Sequence, residues 1–275
     1  MDIDVDHVTV AGRSLDDLDA AFAGVGIEPS YGGTHSNGVT HMSTVPFPDG
    51  TYLECISTLE PETESPWWDA AIRTDAGPCA WAIQVSDAAA AAETFAEQGV
   101  AVEGPNRFAR ERPDGVRLEW ELVYLGDGEP GSVLPFCIAD RTPRERRVGE
   151  PLTGTGLRGV DTVVLGVADL DAAVDRLRAA FDLPAPTRTT SDFLNATVAR
   201  FSEAPVAVAT PDGNGWLADR LGAVGDAPCG YLFDADPDAV DGYPVADTEP
   251  WGDGEAAWLA PDAVGGLRAF GLYSR

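Results

Sequence analysis

The stretch VDHVTVAGRSLDDLDAAF, Val5 to Phe22, decides the fold, because the chain repeats it as VDTVVLGVADLDAAVDRL, Val160 to Leu177. The first copy opens with an apolar run rich in β-branched residues, His7 to Ala11. It continues with Leu15, Leu18, Ala21 and Phe22 at helical spacing, acids between them. Gly24 and Gly26 end the predicted helix. Two further pairs match in the same order. GPCAWAIQVSD, Gly77 to Asp87, resembles APCGYLFDADPD, Ala227 to Asp238, and SVLPFCIAD before Arg141 resembles GLRAFGLYS at the C-terminus. Ordered matches at nearly constant spacing imply a duplication, with halves at 1–140 and 157–275. The stretch between them, RTPRERRVGEPLTGTG (141–156), is polar, rich in Gly and Pro, and carries a cluster of arginines. It reads as a linker.

Each half divides again. After the first helix come a polar loop containing GGTHSNG and then THMSTVPFPDGTYLECIS, where two alternating runs flank the hairpin turn Pro48-Asp49-Gly50. A two-residue Asp49-Gly50 turn would set Phe47 against Tyr52 and Val45 against Glu54. Residues 79–139 repeat the plan. AWAIQVSD is a strand, AAAAAETFAEQG a helix stopped by Gly99, and VRLEWELVYL and SVLPFCIAD are strands. A third unit starts at Val160, and a fourth, the most degraded, at Cys229. The fold class is α+β, built from repeated β-α-β-β-β units.

The formal charge is -28, from 46 acids against 18 basic residues, every one of the latter an arginine. The acids run along the whole chain, as expected of a surface adapted to a high-salt cytoplasm in a halophile. Such a surface argues against nucleic-acid and anionic-membrane partners. The start, MDIDVDHVTV, lacks a basic region and a long apolar run, so a cytoplasmic protein is expected. Cys55, Cys79, Cys137 and Cys229 form no C-x-x-C pair and read as small core residues. No glycine-rich strand-to-helix motif suggests a nucleotide, and no G-x-S-x-G suggests a nucleophilic serine.

Four stretches carry a family resemblance: Asp6-His7-Val8; Asp49-Gly50-Thr51-Tyr52-Leu53-Glu54; Arg112-Pro113-Asp114-Gly115 leading to Leu118-Glu119-Trp120; and Leu134-Pro135-Phe136-Cys137-Ile138. With the paired units, they resemble the glyoxalase-like branch of the vicinal oxygen chelate (VOC) superfamily over most of residues 3–139. The resemblance implies curved, incomplete barrels, each with a ligand cup. It also implies a divalent ion (Zn, Fe, Mn or Ni) held by one ligand from the first and one from the last strand of each unit. His7 and Glu54 stand in two of those places. Ala80 and Phe136 stand in the other two, and in the second half Thr162 takes the place of His7 while the run Pro205 to Pro211 has no acid.

His7 and Glu54 are therefore the candidate catalytic residues and the candidate ligands of an incomplete metal site. Glu54 reads as base or ligand and His7 as ligand or acid. A lone carboxylate in a barrel needs a partner. In the register set out above His41 shares the face of Glu54, but four residues along, about 13 Å, too far for a shared ion. It is a candidate polar contact to substrate, while His35, in the loop, could fold over the mouth. Trp81 and Trp120 suit an apolar or aromatic ligand, with core packing the competing reading. Arg107, Arg110 and Arg112 cluster before a strand, and Arg112 is a candidate for holding a carboxylate or phosphate.

The leading function is an enzyme acting on a small organic molecule in the first-half cup, of isomerase, lyase or dioxygenase type. The alternatives are a non-catalytic binder of small molecules and a structural or interaction protein with side-chain-filled cups. A monomer or homodimer is expected, with the second half a scaffold or the holder of a purely apolar pocket.

Overall fold

A computed structural model describes residues 3–275. The first unit runs β1 (Val5–Ala11), α1 (Leu15–Ala23), β2 (Ser30–Thr34), β3 (Thr40–Pro46) and β4 (Tyr52–Thr58). A short α2 (Asp69–Arg73) leads to β5 (Gly77–Gln84), α3 (Ala88–Glu97), β6 (Val102–Glu111), β7 (Arg117–Leu125) and β8 (Phe136–Asp140). After α4 (Arg144–Val148), the third unit holds β9 (Leu157–Gly166), α5 (Leu170–Phe181), β10 (Thr187–Ser191), β11 (Ala196–Arg200) and β12 (Val206–Pro211). Then α6 (Trp216–Val224) precedes β13 (Ala227–Ala235), α7 (Pro237–Val240), β14 (Val245–Trp251), β15 (Gly254–Leu259) and β16 (Phe270–Ser274).

These strands make two curved 8-stranded sheets, ordered β2-β3-β4-β1-β5-β8-β7-β6 and β10-β11-β12-β9-β13-β16-β15-β14. The second order is the first with each number raised by eight, so the duplication read from the sequence is a duplication of topology. The fourth unit is indeed the most reduced: α7 has 4 residues where α3 has 10. Ser14, Asp87 and Asp169 cap the longer helices by accepting backbone N–H bonds in the first turn. Among the described residues no helix is long and apolar enough to cross a membrane. All four cysteines are buried and free.

Two strands lie where periodicity gave none. β2 falls in the Gly- and Ser-rich stretch, and β6 holds Pro105, Asn106, Arg107 and Arg110. Both are sheet edges. An edge strand is solvated and tolerates Gly, Pro and charge, so it lacks the apolar alternation of a central strand. Arg107 and Arg110 are therefore strand residues rather than residues ahead of one.

One face of each sheet packs on helices, and these faces merge. Val8, Phe22, Leu53, Trp81 and Phe95 of the first half share one apolar core with Val163, Phe181, Tyr231 and Phe233 of the second. At its centre the Tyr231 hydroxyl lies 2.8 Å from the carbonyl oxygens of both Thr9 and Ala80, with one proton to give. The concave faces point away from this shared core.

Candidate functional site

The site begins with a bulge. β1 pairs antiparallel with β5, but Val5 faces Ile83 and His7 faces Ala82, leaving Asp6 as the extra residue. Neighbours on a regular strand point to opposite faces. The bulge instead brings the Asp6 carboxylate to its neighbour, Oδ1 2.7 Å from His7 Nδ1. The second half keeps the device: Asp161 is the extra residue of β9, and Thr162 donates its hydroxyl to Asp161 Oδ2 at 2.5 Å.

Asp6 is fully buried, and burial alone would raise its carboxyl. The Arg147 guanidinium, with hydrogen bonds from His7 and Arg147, outweighs burial and holds it well below the usual carboxylate range. Arg147 donates to Asp6 Oδ1 at 3.0 Å and Oδ2 at 2.8 Å, to Asp140 at 2.6 and 2.8 Å, and to the Tyr52 hydroxyl at 2.8 Å. Arg144 also contacts Asp6. Both arginines sit on α4, inside the stretch read as a linker. A carboxylate only accepts, so Asp6 takes a hydrogen bond from His7 Nδ1–H, which leaves Nε2 as the ring nitrogen toward the cup.

β4 runs parallel to β1, with Tyr52 beside His7 and Glu54 beside Thr9. The Tyr52 ring stacks on His7 at 4.6 Å, and Phe136 meets His7 edge-on at 5.4 Å. Alternation keeps Tyr52 and Glu54 on one face. Glu54 is buried, and among the described residues nothing donates a hydrogen bond to its carboxylate. Its nearest partner is His35 Nε2, 3.9 Å away. Burial lowers the His35 imidazole below its ordinary value, more than Glu54 raises it, so it is neutral at neutral pH. Its Nδ1 lies 2.9 Å from Thr40 Oγ1.

These groups form one side of a cup. Trp67, Trp68, Phe108, Trp120, Tyr124 and Phe136 make its apolar wall, and Arg110 and Arg147 add positive charge. Trp67 meets Phe108 edge-on at 5.7 Å, and Trp68 lies 6.3 Å from Phe136.

The structure places the remaining candidates differently. Trp120 lines the cup. Trp81 does not: it faces Val8 across β1–β5, on the helix side, and is part of the shared core. His41 also turns away from the cup. The β3–β4 turn has three residues rather than two, closed by a 2.8 Å bond from Phe47 N to Thr51 O, with Gly50 at φ 92°. Thr44, not Val45, therefore faces Glu54. A slip of one residue exchanges the two faces of a strand. Met42 points into the cup, while His41 looks toward α1, where Asp16 and Asp19 lie near it. Arg112 lies past the end of β6, half-exposed, paired with Asp114 at 2.9 Å and donating to Arg146 O at 2.9 Å. The arginine of that cluster that enters the cup is Arg110.

Register also locates the positions at which the resemblance implies metal ligands. Ala82 faces Phe136 on β5 and β8 as Thr9 faces Glu54 on β1 and β4, so Phe136 and Ala80 occupy the places that answer Glu54 and His7. Among the described residues no three His, Cys, Asp or Glu side chains cluster closely enough to hold a metal ion. With an alanine and a phenylalanine at those two positions and two guanidinium groups in the cup, the donor set does not fit a divalent-metal centre of the kind the resemblance implies.

The second concave face is filled. Trp258, Trp251, Tyr273 and Leu194 are buried there, with Phe193 packed against them, and Trp258 stacks on Phe193 at 4.9 Å. Parallel register places Ala207 beside Val164, where the first half has Glu54 beside Thr9.

A family model described as a glyoxalase-like domain matches residues 5–181. No curated protein sequence matches the chain. Among solved structures, a hypothetical protein from Staphylococcus aureus is similar with a TM-score of 0.64 at 13% identity, covering 98% of each chain. A mutant of 4-hydroxymandelate synthase from Streptomyces coelicolor gives 0.61 at 12% identity, over 99% of this chain and 93% of that one. The Mn(II)-bound glyoxalase from Novosphingobium aromaticivorans gives 0.59 at 9% identity, over 99% and 82%. At such identities the likeness is one of fold.

Proposed function

Because the chain belongs to the glyoxalase-like domain family, within the VOC superfamily, we propose that it acts on a small organic molecule in the first-half cup by proton transfer. The observation that carries this reading is Glu54: a buried carboxylate, free of hydrogen-bond donors among the described residues, facing an aromatic cup. A carboxylate so placed is a base in want of a proton. His7, oriented by Asp6, offers Nε2 from the adjoining strand as the second acid–base group. The tryptophans make one wall of the cup apolar. No step is assigned to a metal, because the donor set does not fit one. The reaction would belong to the isomerase or lyase side of the superfamily. A non-catalytic binder is the second reading, favoured by the apolar Ala80 and Phe136 at positions where the family carries ligands.

Deuterium exchange separates the two. A panel of small carbonyl compounds and organic acids is incubated with the protein in D₂O, and loss of carbon-bound protons is followed by NMR. The parent exchanges at least one compound, and Glu54→Gln and His7→Ala lower that rate by roughly 10²–10⁴-fold while remaining folded. Exchange in no compound, or equal rates in Glu54→Gln and parent, sinks the catalytic reading.

The acidic surface supports a halophilic origin. With a charge of -28, self-repulsion should be relieved by ions. The thermal midpoint should rise steadily toward molar KCl, and a flat or falling midpoint counts against that origin.

A further inference from the structure

Among the described residues three arginines are buried: Arg110, Arg147 and Arg220. Arg147 lies between Asp6 and Asp140. Arg220 is spent on the carbonyls of Pro78 and Pro228, where it straps the two halves together. Arg110 is different. It is 7% exposed, and its one hydrogen bond among the described residues goes from Nη1 to the carbonyl of Gly32 on the neighbouring edge strand. No described carboxylate lies within 4.0 Å of it, in a chain with 46 acids and 18 arginines. A guanidinium has five donors in a planar fork. Burying that fork unpaired is unfavourable, unless something that comes and goes supplies the counter-charge.

The surroundings of Arg110 say what would fit. Phe108, two residues before it on β6, lines the same cup, as do the tryptophans. Burial lowers the Arg110 guanidinium below its ordinary value, against the nearby Glu54 carboxylate, with which it makes no hydrogen bond or ion pair among the described residues. Tyr52 accepts a hydrogen bond from Arg147, so its own O–H is left to donate. The cup therefore offers a positive fork and a phenolic donor, with the free Glu54 carboxylate two residues along the Tyr52 strand and aromatic walls around them.

We infer that the cup takes an organic anion, a planar apolar or aromatic body bearing one carboxylate or phosphate, and that Arg110 holds the anionic group. This rests on the cup being the ligand site. The anion would satisfy the fork in a bidentate way and accept a hydrogen bond from the Tyr52 hydroxyl. Binding that end at Arg110 leaves the rest of the molecule to reach Glu54. It also excludes the opposite orientation, in which two carboxylates would face each other.

The test uses the full-length protein and four probes at matched ionic strength: benzoate, phenyl phosphate, benzamide and benzyl alcohol. Binding is followed by ligand-observed NMR, with tryptophan fluorescence locating the probe. The parent binds benzoate or phenyl phosphate roughly tenfold to a hundredfold more tightly than the neutral probes, the worth of one charge-assisted hydrogen bond. The better of the two anions tells carboxylate from phosphate. Arg110→Gln removes that preference by bringing the two anions down toward the neutral probes, and Arg110→Lys keeps part of it. Equal binding of charged and neutral probes in parent and Arg110→Gln overturns the anion inference and leaves the cup as a ligand site. Failure of all four probes to quench the cup tryptophans overturns both.

Discussion

Arg147→Ala lowers the stability of the folded chain by about 3–5 kcal/mol at neutral pH, the range for breaking a buried ion pair from one side. Asp6 is fully buried, and Arg147 itself is 6% exposed. Removing the guanidinium leaves the Asp6 carboxylate in the interior with only Arg144 and His7 beside it, and strips Asp140 of its bidentate partner. The sign of the pH dependence follows. Asp6 has a folded-state pKa below its unfolded value, so its contribution is fully present above the unfolded pKa of about 3.9. It is lost as pH falls through the lower folded value. In the variant the carboxyl has lost its main stabiliser and takes up a proton more readily. The gap between parent and variant should therefore narrow as the pH is brought toward 4. Urea unfolding at neutral and acidic pH measures both. A loss under about 1 kcal/mol, no more than an exposed pair contributes, would reduce α4 to a surface feature.

Trp258→Ala costs about 3–5 kcal/mol and turns the filled second cup into a binding cavity. Trp258 is fully buried, stacked on Phe193 at an interplanar angle of 3° and edge-on to Trp251 at 5.9 Å. Its Nε1 donates to Glu249 Oε1 at 2.8 Å. Across β15 and β16 it faces Gly271, and a Cβ at that glycine would meet Trp258 Cε3 at 2.8 Å. In the first half the place of Gly271 is held by Phe136, and Tyr124 stands where Trp258 does, the two rings 6.4 Å apart. One glycine thus makes room for an indole to lie flat on the sheet, where its counterpart phenylalanine forms the wall of an open cup. The truncated variant should bind indole and gain thermal stability with it, since apolar cavities of ring size take up apolar ligands. Unchanged stability, or no shift with indole, would show that the cup is not held by this side chain.

Much of the fold was legible in the sequence because a duplication is a comparison the chain makes with itself. Val5 to Phe22 and Val160 to Leu177 carry the same strand-then-helix pattern, and that pattern places the central strands of both sheets. His7 and Glu54, which face the cup from β1 and β4, were legible as candidates because they are polar in apolar strands, whereas Tyr52 between them in the cup was not singled out. The absent partners were readable as Ala80 and Phe136, since relative position along repeated units survives in sequence.

Tertiary structure alone decided the rest, wherever one residue of register or one distant contact mattered. A third residue in the Pro48–Gly50 turn exchanged Met42 for His41 in the cup, a difference that apolar alternation does not resolve. The bulge at Asp6 gave His7 its carboxylate, although strand periodicity puts neighbours on opposite faces. Arg110 and Arg112 look alike in the sequence, but one lies on an edge strand over the cup and the other past its end. The arginines of 141–156 read as a polar tether, because nothing local says that Arg147 lies 2.8 Å from an aspartate 141 positions earlier. Periodicity records which face of an element is apolar. A charge pair between elements far apart in the chain leaves no period, and exists only once the fold has brought them together.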